Sequence, residues 1–173
     1  MSQFNIIMDK KEEKILKTIE EFAKKLPKFP DGRIDYSSSN IAPVITVFLK
    51  YKDKILLLKR SKQVRTYQCK WNTVAGYLDE LKPIREKVLE EIQEELGISK
   101  DSILSIRIGK LYEFTDGEVN KSWIIYPVLV ELKSKPDIEL DWEHTEYKWI
   151  KPEELKEFDI VSNLDKSLEN AFK

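Results

Sequence analysis

The sequence predicts a mixed β-sheet packed against helices, an α/β fold of the α+β type, in a single globular domain. Two patterns predict it. Apolar, partly β-branched runs of strand length recur between residues 42 and 150, and segments with helical apolar spacing stand among them. They do not alternate as regular strand–helix–strand units, so a mixed sheet fits better than a doubly wound parallel one. At 173 residues the chain is long enough for one real core.

Taken in order, residues 9–26 place Ile15, Ile19, Phe22 and Leu26 at helical spacing, with Asp9 and Glu12 set as an N-cap and its capping-box partner. This N-terminal helix could cap its own core or pair with a second subunit in a homodimer, since helical spacing alone does not separate the two. Residues 27–40 hold Pro27, Pro30, Asp31, Gly32 and three serines, a connecting loop. The chain therefore divides into a helix and loop (1–40) and a main body (41–173). APVITVFLK (42–50) and ILLLKR (55–60), joined by Tyr51 to Lys54, read as an antiparallel pair. Further strands are expected at 72–78, 104–114, 122–132 and 144–150, and helices at 84–96, 152–157 and 163–172.

The segment 84–96 carries the chemistry. Ile84, Val88, Ile92 and Leu96 recur every fourth position, Pro83 suits a helix start and Gly97 a helix end. At about 100° per residue, Glu91, Glu94 and Glu95 fall along one flank of that stripe. Carboxylates spaced this way repel one another. Either they form a solvated face, or they converge on a hard divalent cation, which takes oxygen ligands.

Composition narrows the function. Lys and Arg number 30 against 31 Asp and Glu, so no global basic field exists to hold a nucleic acid. Cys69 is the only cysteine, which excludes an intrachain disulfide and a thiolate zinc cluster and suits a reducing cytoplasm. The opening stretch MSQFNIIMDKKEEK turns charged before the apolar run of a leader develops, and no later apolar run is long enough for a membrane span. One histidine, His144, does not assemble a usual zinc set, and the scattered glycines form neither a Walker loop nor a dinucleotide fingerprint.

With WNTVAGYLDE (71–80) before the helix and EHTEYKWIKPEEL (143–155) downstream, the sequence resembles the Nudix hydrolases. Gly76 matches the first glycine of their box, Glu91 the glutamate of its Arg-Glu, Ile92 the apolar place, Glu94 and Glu95 the glutamate pair, then Gly97 and Ile98, with no gap. Two positions depart from the pattern: Lys82 stands where the box has its first Glu, and Glu90 where it has Arg. Both changes reverse charge, which suggests a brace of swapped polarity that orients Glu91.

The resemblance implies an α/β/α sandwich at 41–173 and hydrolysis of a pyrophosphate bond in a nucleoside diphosphate linked to another group. It implies Mg²⁺, or Mn²⁺ in its place, held by Glu91, Glu94 and Glu95 with a backbone carbonyl near Ala75 or Gly76. Glu91 is the first choice for general base, with Glu113, Glu118, Glu143 and Glu146 as loop candidates. Arg60, Arg65, Lys70 and Trp71 are the substrate-binding candidates, as cations and an aromatic ring on one segment. Two other functions share this box: a nucleotide or ADP-ribose sensor that no longer hydrolyses, and an isopentenyl diphosphate isomerase. The isomerases carry a catalytic cysteine on the strand entering the box, where WNTVAG has none.

Overall fold

The computed structural model describes residues 7–173, so the start of the opening stretch lies outside the described residues. The elements are α1 (Lys10–Lys25), β1 (Ile41–Tyr51), β2 (Lys54–Arg60), β3 (Trp71–Asn72), β4 (Val74–Tyr77), α2 (Ile84–Leu96), β5 (Ile103–Ile108), β6 (Tyr112–Asp116), β7 (Lys121–Leu132), β8 (His144–Ile150) and α3 (Leu164–Ala171). Short 3₁₀ turns occupy Lys100–Ser102 and Pro152–Glu157.

The eight strands form one mixed sheet. Its spine is the parallel pair β1 and β7, in register from Ile41 opposite Ser122 to Lys50 opposite Glu131. All other pairings are antiparallel. The predicted β1–β2 hairpin exists only at its turn, where Lys50 and Tyr51 face Ile55 and Lys54. Beyond it the strands diverge, and β4 takes the edge of β1 from Val44 to Val47.

Two predicted strands are divided. The run 72–78 breaks into β3, which pairs with β2, and β4, which pairs with β1. The run 104–114 breaks at Gly109 into β5 and β6, both on β7. A side chain at Gly109 would meet the Asn170 carbonyl oxygen at 2.2 Å, so β7's neighbour changes strands where α3 crosses. The predicted helix 152–157 is a 3₁₀ turn, which suits a segment of six residues entered at Pro152.

Helices cover both faces. On one, Ile45, Val47 and Leu49 of β1 and Ile124, Tyr126 and Val128 of β7 meet the α2 stripe of Ile84, Val88, Ile92 and Leu96. The same core takes Ile15 and Ile19 of α1, so the α1 face is buried within its own chain. Its capping box is formed: the Asp9 carboxylate accepts from the Glu12 amide at 2.9 Å, and Glu12 accepts from the Asp9 amide at 3.1 Å. On the other face Phe48, Leu57 and Leu129 meet Leu164, Leu168 and Ala171 of α3. The result is an α/β/α sandwich. No helix among the described residues is long and apolar enough to cross a membrane.

Candidate active site

The rotation of α2 is set by its apolar stripe. Ile84, Val88, Ile92 and Leu96 are at most 1% exposed, and Gly97 ends the helix in the left-handed region (φ 67°), where its amide donates to the Gln93 carbonyl at 2.9 Å. This turns Glu91 and Glu95 toward β4. A Cβ on Gly76 would lie 2.6 Å from the Glu91 carboxyl carbon, so only glycine lets the carboxylate rest on the strand.

Each glutamate meets a different environment. Glu91 is buried, and its Oε1 accepts from the Lys87 ammonium at 2.8 Å. Burial nevertheless pushes its carboxyl above the ordinary range, outweighing Lys87. Glu95 is buried more deeply, with a side chain 4% exposed. Its Oε2 has no hydrogen-bond partner. Burial, with Glu91, Glu143 and Asp141 nearby, drives its carboxyl well above the usual value, against the Ala75 amide, which favours the charged form. His144, the single histidine, is buried against it, with Nε2 3.9 Å from Glu95 Oε2 and Nδ1 3.1 Å from Asp141 Oδ1. Burial lowers the His144 pKa and favours the neutral ring. Glu94 is exposed.

The three carboxylates therefore share a flank without forming a finished coordination sphere, and no three acidic, imidazole or thiol groups among the described residues stand together as a metal-ligand set. Lys87 holds Glu91, and Glu95 lies beneath the surface. The donors still fit a hard divalent ion. All are oxygens, and the orphaned Glu95 Oε2 is a buried carboxyl oxygen without a hydrogen-bond partner, which a bound cation would satisfy.

Lys82 reaches from the loop before α2 to both oxygens of Glu90, each at 2.8 Å, and also contacts Glu80. Burial opposes its charge, but these two acids raise its pKa above that of a free lysine. The two positions that depart from the Nudix box are therefore paired with each other, one residue before Glu91.

A cavity of about 580 Å³ opens beside α2. Glu90, Glu91, Glu94 and Lys87 line one wall, with Ala75 and Gly76 at its floor. Across from them stand Tyr112 and Phe114 of β6 and Trp123 and Ile125 of β7, with Tyr77 beside Trp123 at 5.9 Å between ring centroids. Sheet register makes this wall: Tyr112 faces Ile125 and Phe114 faces Trp123. The Tyr112 ring is fixed by its hydroxyl, 2.6 Å from Ser167 Oγ and 3.1 Å from the Asn163 carbonyl on α3's approach. Lys121 Nζ lies 5.5 Å from the centroids of both Tyr77 and Trp123.

The four substrate-binding candidates separate. Arg60 lines the cavity, and its Nε donates to the Thr66 carbonyl at 3.1 Å. Arg65 is exposed on the following loop, Lys70 points to Asp159 at 3.7 Å, and Trp71 is a core residue edge-on to Phe158; none of these three lines the cavity. The register explains this, since Trp71 pairs with Lys59 in β3 and its ring enters the α3-side core.

Of the loop acids, Glu143 lines the cavity. Burial and then Asp141 push its carboxyl up, while Arg60 pulls it down. Glu146 pairs with Lys59 at 3.0 Å, Glu118 is exposed at a turn, and Glu113 borders a separate hollow beside α1. Sequence reading missed Lys87, Asp79 and the aromatic wall. Lys87 had a signal, its position four residues before Glu91; the wall had none, because it depends on which residues of β6 and β7 face each other.

The fold thus sets the carboxylate helix and the aromatic rings around one open cavity. The NUDIX domain family model matches residues 40–171, so this chain belongs to the NUDIX family and is a Nudix-type pyrophosphohydrolase. Among similar proteins, Nucleoside triphosphatase NudI of Klebsiella pneumoniae (strain 342) is 22% identical over 125 residues, covering 68% of this chain and 86% of that protein. NudI of Salmonella paratyphi B is 27% identical over 110 residues, covering 61% and 78%. The fold is similar to that of the MutT protein from Methanosarcina mazei Go1 (TM-score 0.63, 23% identity, 76% of this chain and 93% of that one). It is also similar to a C. elegans Ap4A hydrolase (TM-score 0.57, 20% identity, 75% and 93%).

Proposed function

We propose that the chain hydrolyses a pyrophosphate bond in a nucleoside diphosphate linked to another group, using Mg²⁺ or Mn²⁺ held by Glu91, Glu94 and Glu95 with a backbone carbonyl near Gly76. The observation that carries this reading is one cavity bordered by the glutamate helix on one side and by aromatic rings on the other. A nucleoside triphosphate belongs to this substrate class, with phosphate as the other group, and the NudI relatives bear that activity in their names. When bound, the ion offsets charge on the phosphoryl oxygens and lowers the pKa of a coordinated water.

The protein's own groups divide the remaining work. Arg60, inside the cavity, binds phosphate oxygens through its guanidinium. Tyr77, Phe114 and Trp123 take the base or another flat group by stacking. Glu143 is the better-placed proton acceptor for the attacking water, because it lines the cavity while Glu91 Oε1 is engaged by Lys87. The Lys82–Glu90 pair braces α2 against its preceding loop and so positions Glu91. We place the protein in the cytoplasm, where its lone, exposed Cys69 stays reduced.

The test is a panel of dinucleoside diphosphates, nucleotide sugars and nucleoside triphosphates, assayed for product release with and without Mg²⁺. Metal-dependent turnover of one class supports the proposal. Tight binding without turnover across the panel replaces it with the sensor function, and loss of activity in Cys69→Ser points to isomerase-like chemistry.

A further inference from the structure

Four side chains of alternating charge run from the cavity mouth to the glutamate helix. Arg33 Nη1 is 3.6 Å from Asp79 Oδ2, Lys87 Nζ is 3.4 Å from Asp79 Oδ1, and the same ammonium is 2.8 Å from Glu91 Oε1. Lys87 is no ordinary surface partner of an i,i+4 pair, which would be solvated and weak. Its side chain is 11% exposed and reaches past its own helix to the β4–α2 loop. Asp79 is equally buried at 10%, and its Oδ1 has no hydrogen-bond partner. The ammonium is thus wedged between two buried carboxylates that both line the cavity.

We propose that Lys87 is a resident cation of the active cavity, standing between Asp79 and Glu91 in a place that a divalent ion would otherwise take. Without it, the two buried carboxylates would keep only Arg33, 3.6 Å from the far oxygen of Asp79, and would have no cation between them. Like charges so placed either take up a proton or capture a cation, and oxygen pairs of this kind suit Mg²⁺ or Mn²⁺. The lysine fills that role with a tethered single charge, so the native protein takes up fewer ions than its carboxylates would allow. It also leaves a fixed ammonium facing the substrate's phosphates. The inference rests on the pyrophosphohydrolase reading only for the purpose of the site, since ion uptake is measured without substrate.

The experiment counts bound Mn²⁺ per chain, by electron paramagnetic resonance of the free ion, for the native protein, Lys87→Met, Lys87→Arg and Lys87→Met/Asp79→Asn. The expected result is one additional Mn²⁺ in Lys87→Met, the native count in Lys87→Arg, and loss of the additional ion in the double variant. A Lys87→Met count equal to or below the native one overturns the proposal, as does an additional ion that survives Asp79→Asn. Should Lys87→Met be unfolded without metal, Mn²⁺ is expected to restore its melting transition, and a variant that stays unfolded with Mn²⁺ also overturns it. A native protein inactive on the substrate panel, with the additional ion still present in Lys87→Met, removes the hydrolase function and leaves this site. An active native protein with an unchanged Mn²⁺ count does the reverse.

Discussion

The α2 wall of the cavity and the β6–β7 wall are built differently. On α2 the working residues all come from one helical segment, Lys87 to Glu95, and one apolar stripe fixes their direction. On β6–β7 the rings come from two strands and are juxtaposed only by register, with Tyr77 added from β4. The first wall concentrates charge that is partly buried and incompletely paired; the second offers flat apolar surface with a cation, Lys121, above it. Under the proposed function the contrast is a division of labour: chemistry on a helix whose spacing is rigid, recognition on a sheet face whose residues can be exchanged one at a time.

If that division holds, the largest effect belongs to the helix. Glu94→Gln and Glu95→Gln are expected to lower kcat by about 10²-fold or more, the scale of losing transition-state charge stabilisation, with the fold retained by circular dichroism. On the opposite wall, Trp123→Ala and Phe114→Ala are expected to raise KM about tenfold with kcat nearly unchanged, as loss of aromatic contact in ground and transition states alike would do. A collapse of kcat in Trp123→Ala would break the comparison, because it would put that ring in the chemistry.

The Lys82–Glu90 pair offers a finer test. Lys82→Glu and Glu90→Arg are each expected to reduce kcat/KM up to about fivefold, within the reach of a partly exposed ion pair of at most about 1 kcal/mol. The double variant, which restores the polarity of the family box, is expected to recover activity. Additive losses would mean that the pair does not orient Glu91.

The smallest effect is on stability and depends on pH. Because the folded-state pKa of Glu95 lies above that of an unfolded glutamate, folding favours its protonated form. Its contribution is fully present below the ordinary glutamate value of about 4.3 and is lost as pH rises through the raised one. Without metal, Glu95→Gln is therefore expected to be more stable than the native protein by about 1 kcal/mol at pH 8, because a neutral amide avoids the cost of ionising a buried carboxyl. The difference should shrink toward pH 4 in denaturant melts, and Mg²⁺ should stabilise the native chain more than the variant. A pH-independent difference would show that Glu95 is not titrating in this way.

Some of this molecule was legible from local pattern alone. The α1 capping box, the α2 stripe ending at Gly97, and the positions of Glu91, Glu94 and Glu95 follow from spacing along one helix, where neighbours in sequence are neighbours in space. The pairing of Lys82 with Glu90, between the preceding loop and the helix, is suggested instead by two reversed charges at matched positions of a motif. The Arg60 position also emerged, because β2 runs directly into the cavity.

Other features required the tertiary structure. Trp71 and Lys70 follow Arg60 across a nine-residue loop, yet Trp71 enters the α3-side core and Lys70 points to Asp159, because β3 pairs with β2 and side chains alternate across a strand. The break of one predicted strand at Gly109 follows from the approach of Asn170, a residue 61 positions away. The sequence by itself determined that three glutamates would share one helical flank. Only the folded chain decided that Lys87 would hold one of them, that Glu95 would be buried without a partner, and that Glu94 would face solvent. Helix periodicity fixes direction about an axis, whereas burial and ion pairing depend on what the sheet and its loops bring against that face.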